Sequence, residues 1–352
     1  MKAWILHEIG DIRYEEMKEP QPAEGEVIVK VKSAGICGSD IPRIYQTGTY
    51  HFPTIPGHEF SGIVADVGIG VNPEWKNKRV GVFPLIPCRV CMSCKKGQYE
   101  TCRSYGYLGS RQDGGFAEYV AVPEWNLIEL PESVSFAEAA MMEPMSVAVH
   151  AMRRAQPDKD GICVVCGLGT IGMLILMFLR DAGVRNILAV GNKDFQRQTA
   201  AKLGLEKDCY CDSRTEDVSK WILEHTDNRG ADMFFECVGR NETVSLAVDL
   251  TAPSGKVMFV GNPASDMVFQ KAVYWKILRN QLTVLGTWNS SFTHNREDDW
   301  HYAMNRLQNH RIRPEELITH CFPLERLSDG LILMRDKSEE SGKVIVIHKF
   351  IE

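Results

Sequence analysis

Cys37-Gly38-Ser39-Asp40 and Gly57-His58-Glu59 gather a thiolate, an imidazole and two carboxylates in one short stretch of chain. Cys, neutral His and Glu are the ligand types of a catalytic zinc, which keeps three protein ligands and leaves a position for water or substrate. Such a metal lowers the cost of removing the proton of an alcohol, and its oxygen ligands suit other divalent ions as well. A second group, Cys88, Cys91, Cys94 and Cys102, is spaced CxxCxxCx7C. Four thiolates with no histidine among them close a tetrahedral site, which points to structural zinc. An iron-sulfur cluster shares this ligand type. Lys95, Lys96 and Arg103 are the only basic cluster near the lobe, and they are balanced elsewhere, which argues against a nucleic-acid reader.

These residues need elements to position them. A chain of 352 residues exceeds one usual core and should form about two domains. A net charge of −6, without a long run of one sign, argues against a nucleic-acid surface. The longest apolar stretch, Ile171 to Leu179, is too short for a bilayer, and the N-terminal apolar run is too short for a signal peptide. The expectation is a cytoplasmic protein with small-molecule partners and no membrane. Its cysteines then read as metal chemistry and not as disulfides.

Alternation of Val27, Val29 and Val31 predicts a half-buried strand over 26–34. With strands at 1–14, 62–68 and 79–83 it makes an irregular, barrel-like β unit whose loops carry the metal. Residues 135–154 read as helical, with Pro144 expected to break or kink the helix and turn Glu143 toward the first cluster. From residue 161 a continuous apolar strand leads into Gly167, Leu168, Gly169, Thr170, Ile171 and Gly172, then a helix and a second strand at 186–190. Further units at 202–211, 231–238, 255–260 and 282–286 complete a doubly wound, dinucleotide-binding domain. CxxC at Cys163 and Cys166 falls on the first strand, where packing is expected. The second strand is followed by Gly191-Asn192-Lys193, where an NAD-selective fold carries Asp or Glu. Asn192 and Lys193 suit a 2′-phosphate, so NADP is favoured, or use of both NADP and NAD. Helices at 298–310 and 324–335 precede a last strand at 342–348 that returns to the first unit. The expected division is 1–147 with a lobe at 88–102, then 148–288, then 289–352.

Together with Glu143-Pro144, these motifs resemble the zinc-containing medium-chain dehydrogenase/reductase family over essentially the whole chain. The resemblance implies an α/β protein: a GroES-like catalytic domain, completed by the C-terminal segment, plus a Rossmann domain. It implies Cys37, His58 and Glu143 on a catalytic zinc, with Glu59 as a ligand that exchanges with water. Ser39 would begin a proton relay and Asp40 would support the His58 ring. Many members end that relay in a histidine five residues after the zinc cysteine; Pro42 stands there instead, so the proton leaves by another route, through Glu59 and water. The stretches 37–43, 84–88, 109–119 and 276–289 are most similar to polyol-phosphate dehydrogenases. The implied reaction oxidises a secondary alcohol of a sugar-alcohol phosphate, such as D-arabitol phosphate or galactitol 1-phosphate, to a ketose phosphate. Arg43, Arg111 and Arg279 are then candidates for the phosphate, and Tyr45, Tyr50, Trp288 and Asn289 for the pocket. Two other readings are a dehydrogenase of a free, sorbitol-like polyol or of L-threonine, and a non-catalytic member with metal at the lobe alone. An edge strand around 282–286 implies a homo-oligomer, a dimer or a tetramer.

Overall fold

The structure, a computed structural model, describes residues 1–348; the last four residues of the expected C-terminal segment lie outside them. The chain divides into two compact units, one of residues 1–143 with the segment from 291 onward, the other of residues 144–290.

In the first unit the strand Glu26–Ile36 pairs with three neighbours, Glu59–Val67, Tyr119–Pro123 and Lys343–Ile347, all antiparallel. Val27, Val29 and Val31 are fully buried on it, the inward half of the alternation in the sequence. Ile318–Pro323 extends this sheet beyond Lys343–Ile347, and Arg79–Val82 and Leu127–Glu129 extend it on the other side. The last strand therefore joins a sheet begun three hundred residues earlier, with Val344 opposite Ile36. At the N-terminus one strand was expected over 1–14. The chain instead reverses at Gly10, and Lys2–Glu8 pairs with Asp11–Glu16 as a hairpin.

The expected kink at Pro144 falls elsewhere. One helix, Phe136–Ala140, ends at Met141, and a second, Met142–Ala155, begins before the proline. Pro144 sits in the first turn of the second helix, where its missing N–H would have had no partner. The first helix is opened by Ser135, whose hydroxyl accepts from the Glu138 N–H while the Glu138 carboxylate accepts from Ser135 N. This capping box fixes where the helix pair starts, and so where Glu143 falls.

The second unit is a six-stranded parallel sheet in the order Tyr210–Asp212, Asn186–Gly191, Ile162–Cys166, Ala231–Glu236, Thr251–Phe259 and Thr283–Gly286. Strand order reverses direction at Ile162–Cys166, the topological switch point where dinucleotides bind in such sheets. The glycine-rich turn leaves that strand and enters the helix Thr170–Asp181, which is buried from Gly172 to Leu179. Among the described residues no helix is long and apolar enough to cross a membrane.

Replacing Ser135 with Ala should cost about 1 kcal/mol in denaturant unfolding of the first unit. A stability within a few tenths of the parent would show that the cap does not set the helix start.

Candidate metal centre and cofactor site

Cys37 directly follows the strand Glu26–Ile36, and Glu59 opens the strand that pairs with it. Their antiparallel register sets Gly35 opposite Glu59, so residues far apart in the loop between them meet at the same end of the sheet. The Cys37 sulfur, a His58 ring nitrogen and a Glu59 carboxylate oxygen lie within 4.8 Å of one another. Asp40 is fully buried beneath them. Its Oδ2 accepts from Cys37 N at 2.9 Å, and its Oδ1 stands 3.3 Å from His58 Nδ1, out of line for a well-formed hydrogen bond. With Nδ1 turned to Asp40, the ring offers Nε2 to a metal. The Ser39 hydroxyl donates to Cys37 Sγ at 3.2 Å. Arg43 donates to Asp40 Oδ1 at 2.9 Å.

Two further residues complete the centre, and the sequence reading had named neither. Tyr107 donates its hydroxyl to Glu143 Oε1 at 3.2 Å and sets its ring 5.8 Å from that of His58. Lys343, on the last strand, is buried and pairs with Glu59. The pair passes over Gly35. A Cβ there would collide with the Glu59 carboxylate and lie 2.8 Å from Lys343 Cε, so only glycine leaves room for it. Burial disfavours the Lys343 ammonium, but Glu59, Cys37 and Glu143 together raise its pKa. Burial pushes the Glu143 carboxyl up to about 7, with Glu59 adding to the rise while His58, Lys343 and Tyr107 oppose it. A thiol, an imidazole and carboxylates of Glu59 and Glu143 thus gather at one buried end of the sheet. This donor set fits a divalent cation.

The four cysteines of the lobe also fit. Sulfur separations are 3.9 Å for Cys88–Cys94, 3.5 Å for Cys91–Cys94 and 3.9 Å for Cys91–Cys102. Four thiolates around a zinc at its usual bond length stand about 3.8 Å apart. Backbone N–H groups of Cys94 and Arg103 hold the Cys91 thiol down at about 6, while burial and the neighbouring sulfurs push Cys94 up to about 12. Cys163 and Cys166 are buried on the central strand, where they pack.

At the glycine-rich turn the Leu168 side chain is buried, so only its backbone is offered to a ligand, while Gly169 is exposed and caps the helix beginning with Thr170 and Ile171. Gly191 ends the neighbouring strand. A Cβ at Gly191 would run into the Tyr210 hydroxyl and lie 2.8 Å from Gln196 Oε1, so the usual acidic side chain has no room there. Tyr210 donates to Lys193 O at 3.1 Å, and Gln196 accepts from Asn192 N at 2.9 Å. Arg197 and Arg214 flank this corner through the buried Asp212, whose pKa Arg214 holds at about 2. Tyr210, Arg197 and Arg214 lie too far along the chain from Gly191 for spacing to reveal them.

Residues 23–132 match the family described as alcohol dehydrogenase GroES-like domain, and residues 170–309 match the zinc-binding dehydrogenase family. The chain is 32% identical to galactitol 1-phosphate 5-dehydrogenase of Escherichia coli K12 over 350 residues, covering 99% of this chain and 100% of that protein. The chain belongs to the zinc-containing medium-chain dehydrogenases. It is also 31% identical to L-idonate 5-dehydrogenase of Vitis vinifera, over 92% of this chain and 87% of the relative. The crystal structure of galactitol-1-phosphate dehydrogenase from E. coli superposes with a TM-score of 0.90, covering 99% of this chain and 100% of that one. A zinc-binding dehydrogenase of Sinorhizobium meliloti bound to NADP, 27% identical, gives 0.90 over 98% of both chains.

The residues expected from sequence to meet the substrate fall in different places. Arg43 is committed to Asp40. Tyr45 lies under the Arg335 guanidinium, 4.8 Å from its ring centre. Tyr50 is largely exposed and stacks on Arg111. Arg279 ends the exposed helix Lys271–Arg279 of the second unit, as Trp288 and Asn289 end that unit's last segment.

The purified dehydrogenase should carry two zinc ions per chain by elemental analysis. Gly35→Ala should lose the catalytic zinc and at least tenfold in kcat while keeping the four-cysteine zinc. Two ions and full turnover in that variant would contradict the role given to Gly35.

Proposed function

We propose that this zinc-type alcohol dehydrogenase oxidises a secondary alcohol of a sugar-alcohol phosphate to a ketose phosphate with NADP as the hydride acceptor. The observation that carries the reaction class is the Cys37–His58–Glu59 group, its His58 and Glu59 buried, with Asp40, Lys343 and Tyr107 beside it. For the substrate, support comes from likeness over the full chain to an enzyme named for galactitol 1-phosphate. For the cofactor, it comes from the corner at Gly191, which has no room for a carboxylate and is flanked by Lys193, Arg197 and Arg214.

Oxidation removes a proton from the hydroxyl and a hydride from the same carbon. A zinc at the first site supplies the Lewis acid that eases loss of the proton, and the nicotinamide accepts the hydride. Cys37, His58 and Glu143 would hold that zinc, with Glu59 as a fourth, exchangeable ligand. Ser39, whose own hydroxyl donates to the Cys37 sulfur, would accept a hydrogen bond from the substrate hydroxyl, and the proton would leave to solvent through Glu59 and water. Lys343 pairs with Glu59 and holds it at the site, and Asp40 keeps the imidazole turned. Cys88, Cys91, Cys94 and Cys102 would hold the structural zinc. Glycines 167, 169 and 172, with the first turn of the helix at Thr170 and Ile171, would receive the pyrophosphate.

The second unit also offers a surface for a second copy. Thr283–Gly286 is the sheet edge, and Val284 on it and Tyr274, Trp275 and Leu278 on the preceding helix are exposed. An open edge with apolar side chains is the kind that pairs with a like edge.

Initial rates with galactitol 1-phosphate and D-arabitol 1-phosphate should exceed those with the free polyols, and NADP should exceed NAD by at least tenfold in kcat/KM. Better rates on free polyols or on L-threonine would sink the substrate assignment, and an NAD preference would sink the cofactor assignment. Sedimentation should show a dimer or larger, and Val284→Asp should shift it toward monomer; a monomeric parent would remove the edge from consideration.

A further inference from the structure

We propose that Arg111 is the receptor for the substrate phosphate, an assignment that rests on the polyol-phosphate reading above. Its guanidinium carbon lies 3.8 Å from the centre of the Tyr50 ring and 4.6 Å from that of Tyr105. Two aromatic faces fix the plane of the fork by cation–π contact, but they satisfy none of its N–H donors. Among the described residues no carboxylate pairs with Arg111, and its buried Nε has no hydrogen-bond partner. A cation held rigid, partly desolvated and unpaired is poised for an anion, and a phosphate matches the fork with two parallel hydrogen bonds.

The other arginines near the centre are already engaged. Arg43 is bonded to Asp40, and Arg79 donates to the carbonyls of Pro131 and Val134. Arg111 is also tied to the metal centre by its own loop. Its backbone N–H donates to Tyr107 O at 2.9 Å, and Tyr107 is the residue whose hydroxyl holds Glu143. Farther along the loop, Gly115 N donates to Gly57 O at 2.7 Å, next to His58. His51 steadies the outer side through Arg111 O at 3.2 Å. The loop that carries this cation is thus hydrogen-bonded to the segments that carry Tyr107 and His58. A sugar-alcohol phosphate carries its anion only a few bonds from its secondary alcohols, so one molecule can meet both the cation and the metal centre.

The test is the ratio of kcat/KM for a phosphorylated polyol to that for its free partner, measured with galactitol and D-arabitol and their 1-phosphates, on the parent enzyme, Arg111→Met and Arg111→Lys. The ratio should fall at least tenfold in Arg111→Met and less in Arg111→Lys, which keeps the charge but loses the fork. A folding defect would lower both rates and leave the ratio standing. Inorganic phosphate should inhibit the parent competitively against the phosphorylated polyol, and its inhibition constant should rise at least tenfold in Arg111→Met. A parent ratio near one overturns the polyol-phosphate reading and this assignment with it. A selective parent whose ratio and phosphate inhibition survive in Arg111→Met overturns the assignment alone.

Discussion

The centre of this enzyme depends on one buried ion pair, Glu59 with Lys343. A buried carboxylate with no counter-charge close to it is costly, so Glu59 needs a fixed partner. Lys343 supplies the counter-charge from the last strand of the unit. The cost of burying both groups is met only in close contact, because removing either partner leaves an uncompensated charge worth about 3–5 kcal/mol of destabilisation. Close contact in turn requires Gly35 on the strand between them. One electrostatic demand thus explains a glycine, the register of three strands, and why the C-terminal segment belongs to the first unit.

The second unit answers a different constraint. Its central parallel strands are buried, and the reversal of strand order at Ile162–Cys166 leaves a crevice beside the glycine-rich turn. The proposed cofactor preference rests one strand away. Tyr210 and Gln196 fill the space a carboxylate would occupy at Gly191, and the nearby cations are held in place by Asp212. On that proposal, cofactor choice would draw on excluded volume as much as on charge.

Much of this was legible in the sequence wherever chemistry is contiguous. The four-cysteine spacing, the Cys37 and His58-Glu59 motifs and the strand–glycine–helix order each fit within a short window, so residue type and spacing carried them. Lys343 did not show itself. It opens an apolar strand, where a lone lysine reads as an exposed strand end, and its partner is 284 residues away. Tyr107 was hidden in the same way, since only the folded loop brings its hydroxyl to Glu143. Pro144 misled because the helix limit is decided upstream by Ser135 and Glu138, and a proline in a first turn has nothing to break. Sequence put Arg43 ahead of Arg111 and Arg279, but the fold commits Arg43 to Asp40, a partner that spacing does not show.

The most direct measurement is the zinc content and turnover of Lys343→Met, taken together on the same preparation. The expected result is one zinc ion per chain in place of two, the four-cysteine ion retained as proof that the unit is folded, and kcat lowered at least a hundredfold. Two zinc ions with turnover close to that of the parent would contradict the claim that the Glu59–Lys343 pair holds the catalytic centre.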